Sequence, residues 1–211
     1  MNKKICIIDY GIGNLLSIER AIEKLGYQAI VTHDKNIILD CSHIILPGVG
    51  AFGKAMESIK ELKLDKILIE CAENNKFILG ICLGMQLLCS ESQEFQLNKG
   101  LDLIPGKVVP LKKIVDKKKI KIPNIGWLNI KKDINRKDNK IDDQISQNES
   151  FYFIHSFVAV TDKKFQISNS FYCGTEFQAI INKGNIYGVQ FHPEKSGKPG
   201  LKLINNFIHL Y

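Results

Sequence analysis

The sequence predicts a single-domain α/β protein with a mostly parallel central sheet and flanking helices. In the first half, short apolar runs alternate with amphipathic runs, a pattern typical of helices that connect parallel strands. The length of 211 residues suits one domain over residues 1–211, since single domains usually have about 50–250 residues. With 45% hydrophobic and 24% charged residues, the composition is globular and excludes a disordered chain.

Hydrophobic periodicity predicts the elements of the first half. Runs of neighbouring apolar residues indicate buried strands at 4–9, 28–32, 43–46 and 77–81. Apolar residues at helical spacing indicate helices over 14–25, 52–61 and 64–74. Gly26 ends the first of these helices. A further helix is predicted to begin just after Cys82, directly behind a strand.

The second half is rich in strands and turn signals. We expect strands at 107–111, 151–160, 177–181 and 186–191, and a closing amphipathic helix over 197–210. The weakest order is expected over 131–150, which is rich in Asn, Asp, Lys and Gln. The boundary between the halves has the character of an insertion within one core, which favours one domain over two.

Several classes of protein are excluded by simple features. No apolar run approaches the roughly 18 residues of a membrane span, and the N-terminus enters a strand without a signal-peptide pattern. We therefore expect a cytoplasmic protein without a membrane partner. The six cysteines form no CxxC pair, so neither a disulfide scaffold nor a metal site is expected.

The net charge of +7 is concentrated between Lys112 and Lys140, where ten lysines and Arg136 face three aspartates. Such a stretch either binds nucleic acid or a membrane surface, or forms a solvated face with a mobile loop. No aromatic residues are interleaved as in single-strand binders. The solvated face is the preferred interpretation, and no nucleic-acid partner is expected.

The segment Gly80-Ile81-Cys82-Leu83-Gly84 has the pattern of a nucleophile at a sharp turn from strand to helix. Small residues two positions on either side allow the crowded backbone of such a turn. The turn sets the thiol at a helix N-terminus, where backbone N–H groups favour the thiolate and can bind an oxyanion. The alternative is a buried, inert cysteine at the start of an apolar helix.

The segment Tyr187 to Glu194 ends a predicted strand with His192, Pro193 and Glu194. A cysteine hydrolase needs a base and a group that orients the base. Pro193 restricts His192 to extended geometry, and alternation along an extended chain predicts His192 and Glu194 on one side. On its own, His-x-Glu is more often a surface feature than a catalytic one.

A third segment, Leu46 to Phe52, contains Gly48 and Gly50 at the end of a predicted strand. Glycines there allow peptide N–H groups to face a ligand, as in an oxyanion hole. A plain tight turn is the alternative.

Together, these segments resemble the class I (triad-type) glutamine amidotransferases, whose flavodoxin-like fold carries a cysteine after a parallel strand and a terminal His-Pro-Glu. Finer motifs resemble the glutaminase subunits of imidazole glycerol phosphate synthases: Ile8-Asp9-Tyr10-Gly11-Ile12-Gly13-Asn14-Leu15, Gly126-Trp127, Phe151-Tyr152-Phe153-Ile154-His155-Ser156 and His192-Pro193-Glu194-Lys195-Ser196-Gly197. The resemblance implies that Cys82 attacks the side-chain amide of glutamine, that His192 transfers protons and that Glu194 orients His192. It implies no cofactor.

The resemblance also implies a set of residues that bind glutamine and its oxyanion. The N–H of Leu83 and a peptide N–H of Val49 or Gly50 correspond to the oxyanion hole. The remaining matches are Gln86, Glu94 (for the α-ammonium), and His155 with Ser156 (for the α-carboxylate). As alternatives, Gln86 faces solvent on its helix, and Glu94 is an ordinary loop charge.

The family's ammonia is used by a partner, so the resemblance implies a heterodimer with a (β/α)8-barrel cyclase subunit that makes imidazole glycerol phosphate and AICAR in histidine biosynthesis. One motif departs from the family: Pro-His-Met-Gly-Trp-Asn is Pro123-Asn124-Ile125-Gly126-Trp127-Leu128-Asn129 here. A paralogous glutaminase that supplies ammonia for a surface-polysaccharide sugar therefore stays an alternative. A non-catalytic regulatory module is another, although the three catalytic residue types are all present.

Overall fold

A computed structural model describes residues 3–115, 120–133, 139–147 and 149–211. Its strands are β1 (Ile5–Ile8), β2 (Ala29–Thr32), β3 (His43–Leu46), β4 (Phe77–Ile81), β5 (Cys89–Ser92), β6 (Asn98–Lys99), β7 (Ile104–Pro110), β8 (Asn124–Lys132), β9 (Ser150–His155), β10 (Phe157–Thr161), β11 (Gln166–Tyr172), β12 (Thr175–Lys183) and β13 (Ile186–Val189). Its helices are α1 (Leu15–Lys24), α2 (Lys35–Asp40), α3 (Phe52–Glu61), α4 (Leu64–Glu73), α5 (Leu83–Leu87), α6 (Leu111–Ile114) and α7 (Gly197–Ile208).

Nine strands form the central sheet, in the order β2-β1-β3-β4-β13-β12-β11-β8-β9. The first five of these strands pair in parallel, which confirms the predicted parallel sheet with its flanking helices. The last four strands continue it by antiparallel pairing, so the whole sheet is mixed. Because β13 returns from the second half to pair with β4, the two halves of the chain share one sheet.

Helices cover both faces of the parallel strands, and each face has its own apolar core. On one face, α1 contributes Ile18 and Ile22, and α7 contributes Phe207. On the other face, α3 and α4 contribute Ile59 and Leu68. Burial of such side chains stabilises the layers by about 1.5–3 kcal/mol per large apolar residue.

A smaller sheet, in the order β10-β7-β5-β6, lies beside the central one. The prediction of a single strand over 151–160 is wrong, because this segment forms two strands that are interrupted at Ser156. The chain changes sheets there, because β9 pairs with β8 up to His155 and β10 pairs with β7 from Phe157 onward. The predicted strand at 107–111 is also shorter at its end, since Leu111 begins α6 after Pro110.

The segment 131–150 is more ordered than expected where the structure describes it. Ile141 and Ile145 are buried in the core, and the amide of Asn206 donates to the carbonyl oxygens of Ile141 and Asp143. Residues 134–138 and 148 of this segment lie outside the described residues, as do 116–119 of the basic stretch. Within the described ranges, no helix has both the length and the apolarity needed to cross a bilayer.

Candidate active site

Cys82 occupies a sharp turn between β4 and α5. Its φ is +54°, in the left-handed region, and its N–H donates to the carbonyl oxygen of Val189 at 2.7 Å. A Cβ added at Gly84 would lie 1.9 Å from the carbonyl oxygen of Leu46, and one at Gly80 would lie 2.6 Å from that of Gly84. The two flanking glycines are therefore required by close backbone packing, as the sequence pattern predicts.

The sulfur of Cys82 faces polar groups as well as apolar ones. It contacts the carbonyl oxygen of Ile154 at 3.7 Å, and it accepts an N–H from the side chain of Gln190 at 3.8 Å. The residue is 7% exposed, and it lines a cavity together with His192. Cys82 is thus packed at the edge of the core and still lines the cavity, so it is not sealed away as the alternative predicts.

His192 and Glu194 are held together just beyond β13. Nδ1 of His192 lies 2.7 Å from a carboxylate oxygen of Glu194. His192 itself is extended, as predicted, with φ −101° and ψ 94°, but the segment Pro193–Lys195 forms a 3₁₀ turn. The turn, and not the predicted strand alternation, therefore brings Glu194 back to the ring. The Ser196 hydroxyl fixes this turn by donating to the His192 carbonyl at 2.6 Å and accepting the Tyr152 N–H at 2.9 Å.

The electrostatic surroundings of His192 favour a protonated ring. Burial by itself lowers the pKa of His192, but the ionised Cys82 sulfur and the Glu194 carboxylate outweigh burial and raise it to about 10. Nε2 of His192 is buried and forms no hydrogen bond to any described residue. The ring is therefore oriented through Nδ1, and Nε2 remains available to exchange a proton within the cavity.

The cavity has a volume of about 380 Å³, which suits a small metabolite. Its lining residues are Val49, Gly50, Cys82, Leu83, Gln86, Glu94, Phe95, Pro123, Ile154, His155, Ser156, Phe157 and His192. The structure thus brings together every sequence-predicted site residue except Glu194, which lies behind the imidazole. Gln86 is 5% exposed, so it does not face solvent, and Glu94, although it lies in the loop between β5 and β6, is only 8% exposed.

The loop after β3 packs directly against the turn at Cys82. A Cβ at Gly48 would lie 2.7 Å from the backbone nitrogen of Gly84, so only glycine allows this approach. The buried hydroxyl of Tyr10 donates to the carbonyl oxygen of Pro47 at 2.7 Å. These contacts fix the base of the loop that carries Val49 and Gly50, beside the N–H of Leu83.

Glu94 and Gln86 are anchored to the protein through one end of each side chain. One carboxylate oxygen of Glu94 accepts the N–H of Phe52, at the start of α3, at 2.6 Å. The Gln86 nitrogen donates to the Phe157 carbonyl and to the side-chain oxygen of Gln190, both at 3.1 Å. What Glu94 and Gln86 can offer a ligand is therefore an oxygen atom each.

Burial keeps His155 neutral, and two hydrogen bonds hold its ring in place. Its Nδ1 lies 2.9 Å from the Phe157 carbonyl, and its Nε2 lies 3.0 Å from the Asn124 amide nitrogen. Burial lowers the pKa of His155 to about 4. Both ring nitrogens are therefore occupied, whereas the Ser156 hydroxyl forms no hydrogen bond within the described part of the chain.

The chain matches a known protein family over nearly its whole length. The profile of the family "Glutamine amidotransferase class-I" matches residues 6–210. The chain belongs to the class I glutamine amidotransferases. The sequence is 45% identical over 205 residues to a protein of Methanococcus maripaludis named imidazole glycerol phosphate synthase subunit HisH 2, covering 97% of this chain and 98% of that protein. It is 43% identical to subunit HisH of Methanocaldococcus jannaschii, covering 98% and 99%.

Solved structures share the fold of this family member at lower identity. The structure of PurLQS from Thermotoga maritima superposes with a TM-score of 0.74 at 20% identity, covering 99% of this chain and 98% of that one. The glutaminase domain of Trypanosoma brucei CTPS with bound acivicin gives 0.61 at 15% identity, covering 97% and 92%. At these identities the likeness concerns the fold.

Sequence reasoning missed three side chains that support the site: Gln190, Ser196 and Asn124. Gln190 lies between Val189 and Phe191 and is fully buried, so an amide in an apolar run was the available signal. Asn124 stands where the family motif has histidine, and the structure gives that departure a role in orienting His155. In the described part of the chain, no group of three or more His, Cys, Asp or Glu side chains is arranged to hold a metal ion.

Proposed function

We propose that this chain is the glutaminase subunit of an imidazole glycerol phosphate synthase, and that residues 1–211 act as one domain. It hydrolyses glutamine to glutamate and ammonia, and it supplies the ammonia to a cyclase subunit in histidine biosynthesis. The observation that carries the proposal is the cavity in which the Cys82 sulfur and the His192–Glu194 pair meet. The names of the relatives support the pathway.

The chemistry begins with the thiolate of Cys82, which attacks the side-chain carbonyl carbon of glutamine. The N–H of Leu83 and a peptide N–H of Val49 or Gly50 stabilise the resulting oxyanion. The C–N bond then breaks, and protonated His192 gives its proton to the leaving nitrogen, so that ammonia departs and a thioester remains. His192 next takes a proton from water, which cleaves the thioester to glutamate and restores Cys82.

The rest of the cavity binds the amino-acid end of glutamine. The carboxylate oxygen of Glu94 that does not hold Phe52 pairs with the α-ammonium. Since both ring nitrogens of His155 already form hydrogen bonds, His155 shapes the pocket. The Ser156 hydroxyl, and not His155, contacts the α-carboxylate. Gln86 contributes its side-chain oxygen.

An exposed apolar patch beside the cavity suits the cyclase subunit. On β8 and β9, Ile125 lies opposite Ile154, and Trp127 lies opposite Tyr152, with the Trp127 and Tyr152 rings edge to face at 5.8 Å. Ile125 and Trp127 are each 56% exposed, which is typical of an interaction site when such residues are contiguous. Because Ile154 also contacts the Cys82 sulfur, a barrel docked there would receive ammonia close to its source. We place the complex in the cytoplasm.

Reconstitution with the cyclase subunit encoded in the same genome tests the proposal. The complex is expected to form imidazole glycerol phosphate and AICAR with either glutamine or ammonia as nitrogen donor. Cys82→Ala is expected to abolish the glutamine-dependent reaction and leave the ammonia-dependent one. Cys173→Ser, at a cysteine outside the cavity, is the matched control. Glutamine-dependent product from Cys82→Ala would contradict the proposal, and activity only with a nucleotide-sugar acceptor would favour the polysaccharide pathway.

A further inference from the structure

We infer that Gln190 is a positioning residue that orients an N–H toward the sulfur of Cys82 and so stabilises its thiolate, and that Gln86 sets the polarity of this contact. The inference rests on the proposed function only in taking Cys82 as the nucleophile. Neither the family motif's catalytic pair nor the predicted substrate contacts include Gln190.

The direction of the hydrogen bonds follows from a backbone carbonyl. The Phe157 carbonyl oxygen can only accept, so the Gln86 side-chain atom 3.1 Å from it is the amide nitrogen. That nitrogen also lies 3.1 Å from the Gln190 side chain, which must present its oxygen in return. The amide of Gln190 therefore turns its nitrogen toward Cys82, and this nitrogen lies 3.8 Å from the sulfur.

The burial of the relay makes its polarity matter. Gln190 is 0% exposed and Gln86 is 5% exposed, so water does not compete for these groups, and an unpaired amide there would be costly. The backbone N–H of Gln190 donates to Ala179 at 2.9 Å, which fixes the residue on the sheet. The amide is thus held in one orientation before substrate arrives.

The neighbours of the Cys82 sulfur have opposite effects on its ionisation. Gln190 is an uncharged neighbour that favours the thiolate. The Ile154 carbonyl at 3.7 Å accepts from the thiol and favours the neutral form. An N–H donor stabilises a thiolate but gains little from a thiol. His192 shares the cavity with Cys82, as do Glu94 and His155, and His192 also favours the thiolate when it is protonated.

The test compares Gln190→Met, which removes the donor, with Gln190→Glu, which places an acceptor in the same shape. The readout is the alkylation of Cys82 by iodoacetamide as a function of pH, followed by mass spectrometry of the Cys82 peptide. Relative to the unmodified chain, the pH of half-maximal alkylation is expected to rise in Gln190→Met and to rise further in Gln190→Glu. In the complex with the cyclase subunit, kcat is expected to fall roughly ten- to hundredfold in Gln190→Met while KM changes little.

Two further variants separate this role from simple packing. Gln86→Met frees the Gln190 amide to turn, so it should shift the alkylation profile in the same direction but less. Gln178→Met removes another buried amide from the same sheet, one that bonds Thr161, and should leave the profile unchanged. An unchanged profile in Gln190→Met, or equal shifts in the Met and Glu variants, would overturn the inference. The alkylation experiment tests the role of Gln190 without requiring glutamine turnover. A failure of the proposed function would appear in a different experiment, as glutaminase activity that persists in Cys82→Ala.

Discussion

His43 is buried in β3 between two phenylalanine rings, and this burial makes the stability of the fold depend on pH. The imidazole stacks on Phe77 at 5.1 Å and meets the edge of Phe207 at 5.3 Å. It is 2% exposed, and its Nε2 finds no hydrogen-bond partner among the described residues. Burial, reinforced by the charge of Lys3, lowers the pKa of His43 from 6.5 to about 4.

The sign and size of the effect follow from these two values. In the unfolded chain the ring binds a proton below about pH 6.5, whereas in the folded chain it does so only near pH 4. Between the two values, unfolding takes up a proton, so the contribution of neutral His43 is present above pH 6.5 and is lost as the pH falls toward 4. At pH 5 the loss is about 2 kcal/mol.

Urea unfolding of His43→Phe at pH 7.5 and pH 5 measures this contribution. The difference in unfolding free energy between the unmodified chain and the variant is expected to change by about 2 kcal/mol between the two pH values, in favour of the variant at pH 5. His155, which is also buried with a lowered pKa, remains in both proteins and cancels in the comparison. His33→Phe, at an exposed histidine, should follow the unmodified chain. If His43→Phe keeps the full pH dependence, the reasoning is refuted.

Two further substitutions probe the turn at Cys82 and the loop beside it. Gly84→Ala places a Cβ 1.9 Å from the Leu46 carbonyl oxygen, so we expect the free energy of unfolding to fall by about 1–3 kcal/mol, measured by thermal unfolding, and glutaminase activity to be lost. The control is Gly53→Ala, whose Cβ meets only the Asn98 side chain. Equal behaviour of the two variants would contradict the packing argument. Tyr10→Phe leaves the buried Pro47 carbonyl without its hydrogen-bond donor, so we expect the free energy of unfolding to fall by about 1–3 kcal/mol and kcat in the complex to be reduced. An unchanged melting temperature together with an unchanged kcat would show that this hydrogen bond does not fix the loop.

The sequence predicted those parts of the fold that local patterns determine. The periodicity over 14–25 and 52–61 predicts α1 and α3 to within a residue or so. Helix α2 escaped prediction because it has only six residues, although Asp34 accepts two N–H groups at its start and gave a usable capping signal. The division of 151–160 between two sheets depends on which distant strand each half pairs with, and a hydrophobic pattern does not encode the partner.

The site was predictable where a residue type is tied to chemistry and a motif fixes its place. Cys82 and His192 line the same cavity although they are 110 residues apart in the sequence, and their spacing alone does not predict this proximity. The supporting groups were harder to find, because their roles depend on three-dimensional contacts. Gln190 matters through a relay that begins at the Phe157 carbonyl, and Ser196 matters through two backbone bonds.

The most direct test of the nucleophile is covalent trapping with a chloroketone analogue of glutamine, followed by peptide mass spectrometry of all six cysteines. We predict an adduct on Cys82, protection by free glutamine, and a rate that falls by about two orders of magnitude or more in His192→Ala. An adduct on another cysteine, or labelling of Cys82 that glutamine does not slow, would contradict the assignment.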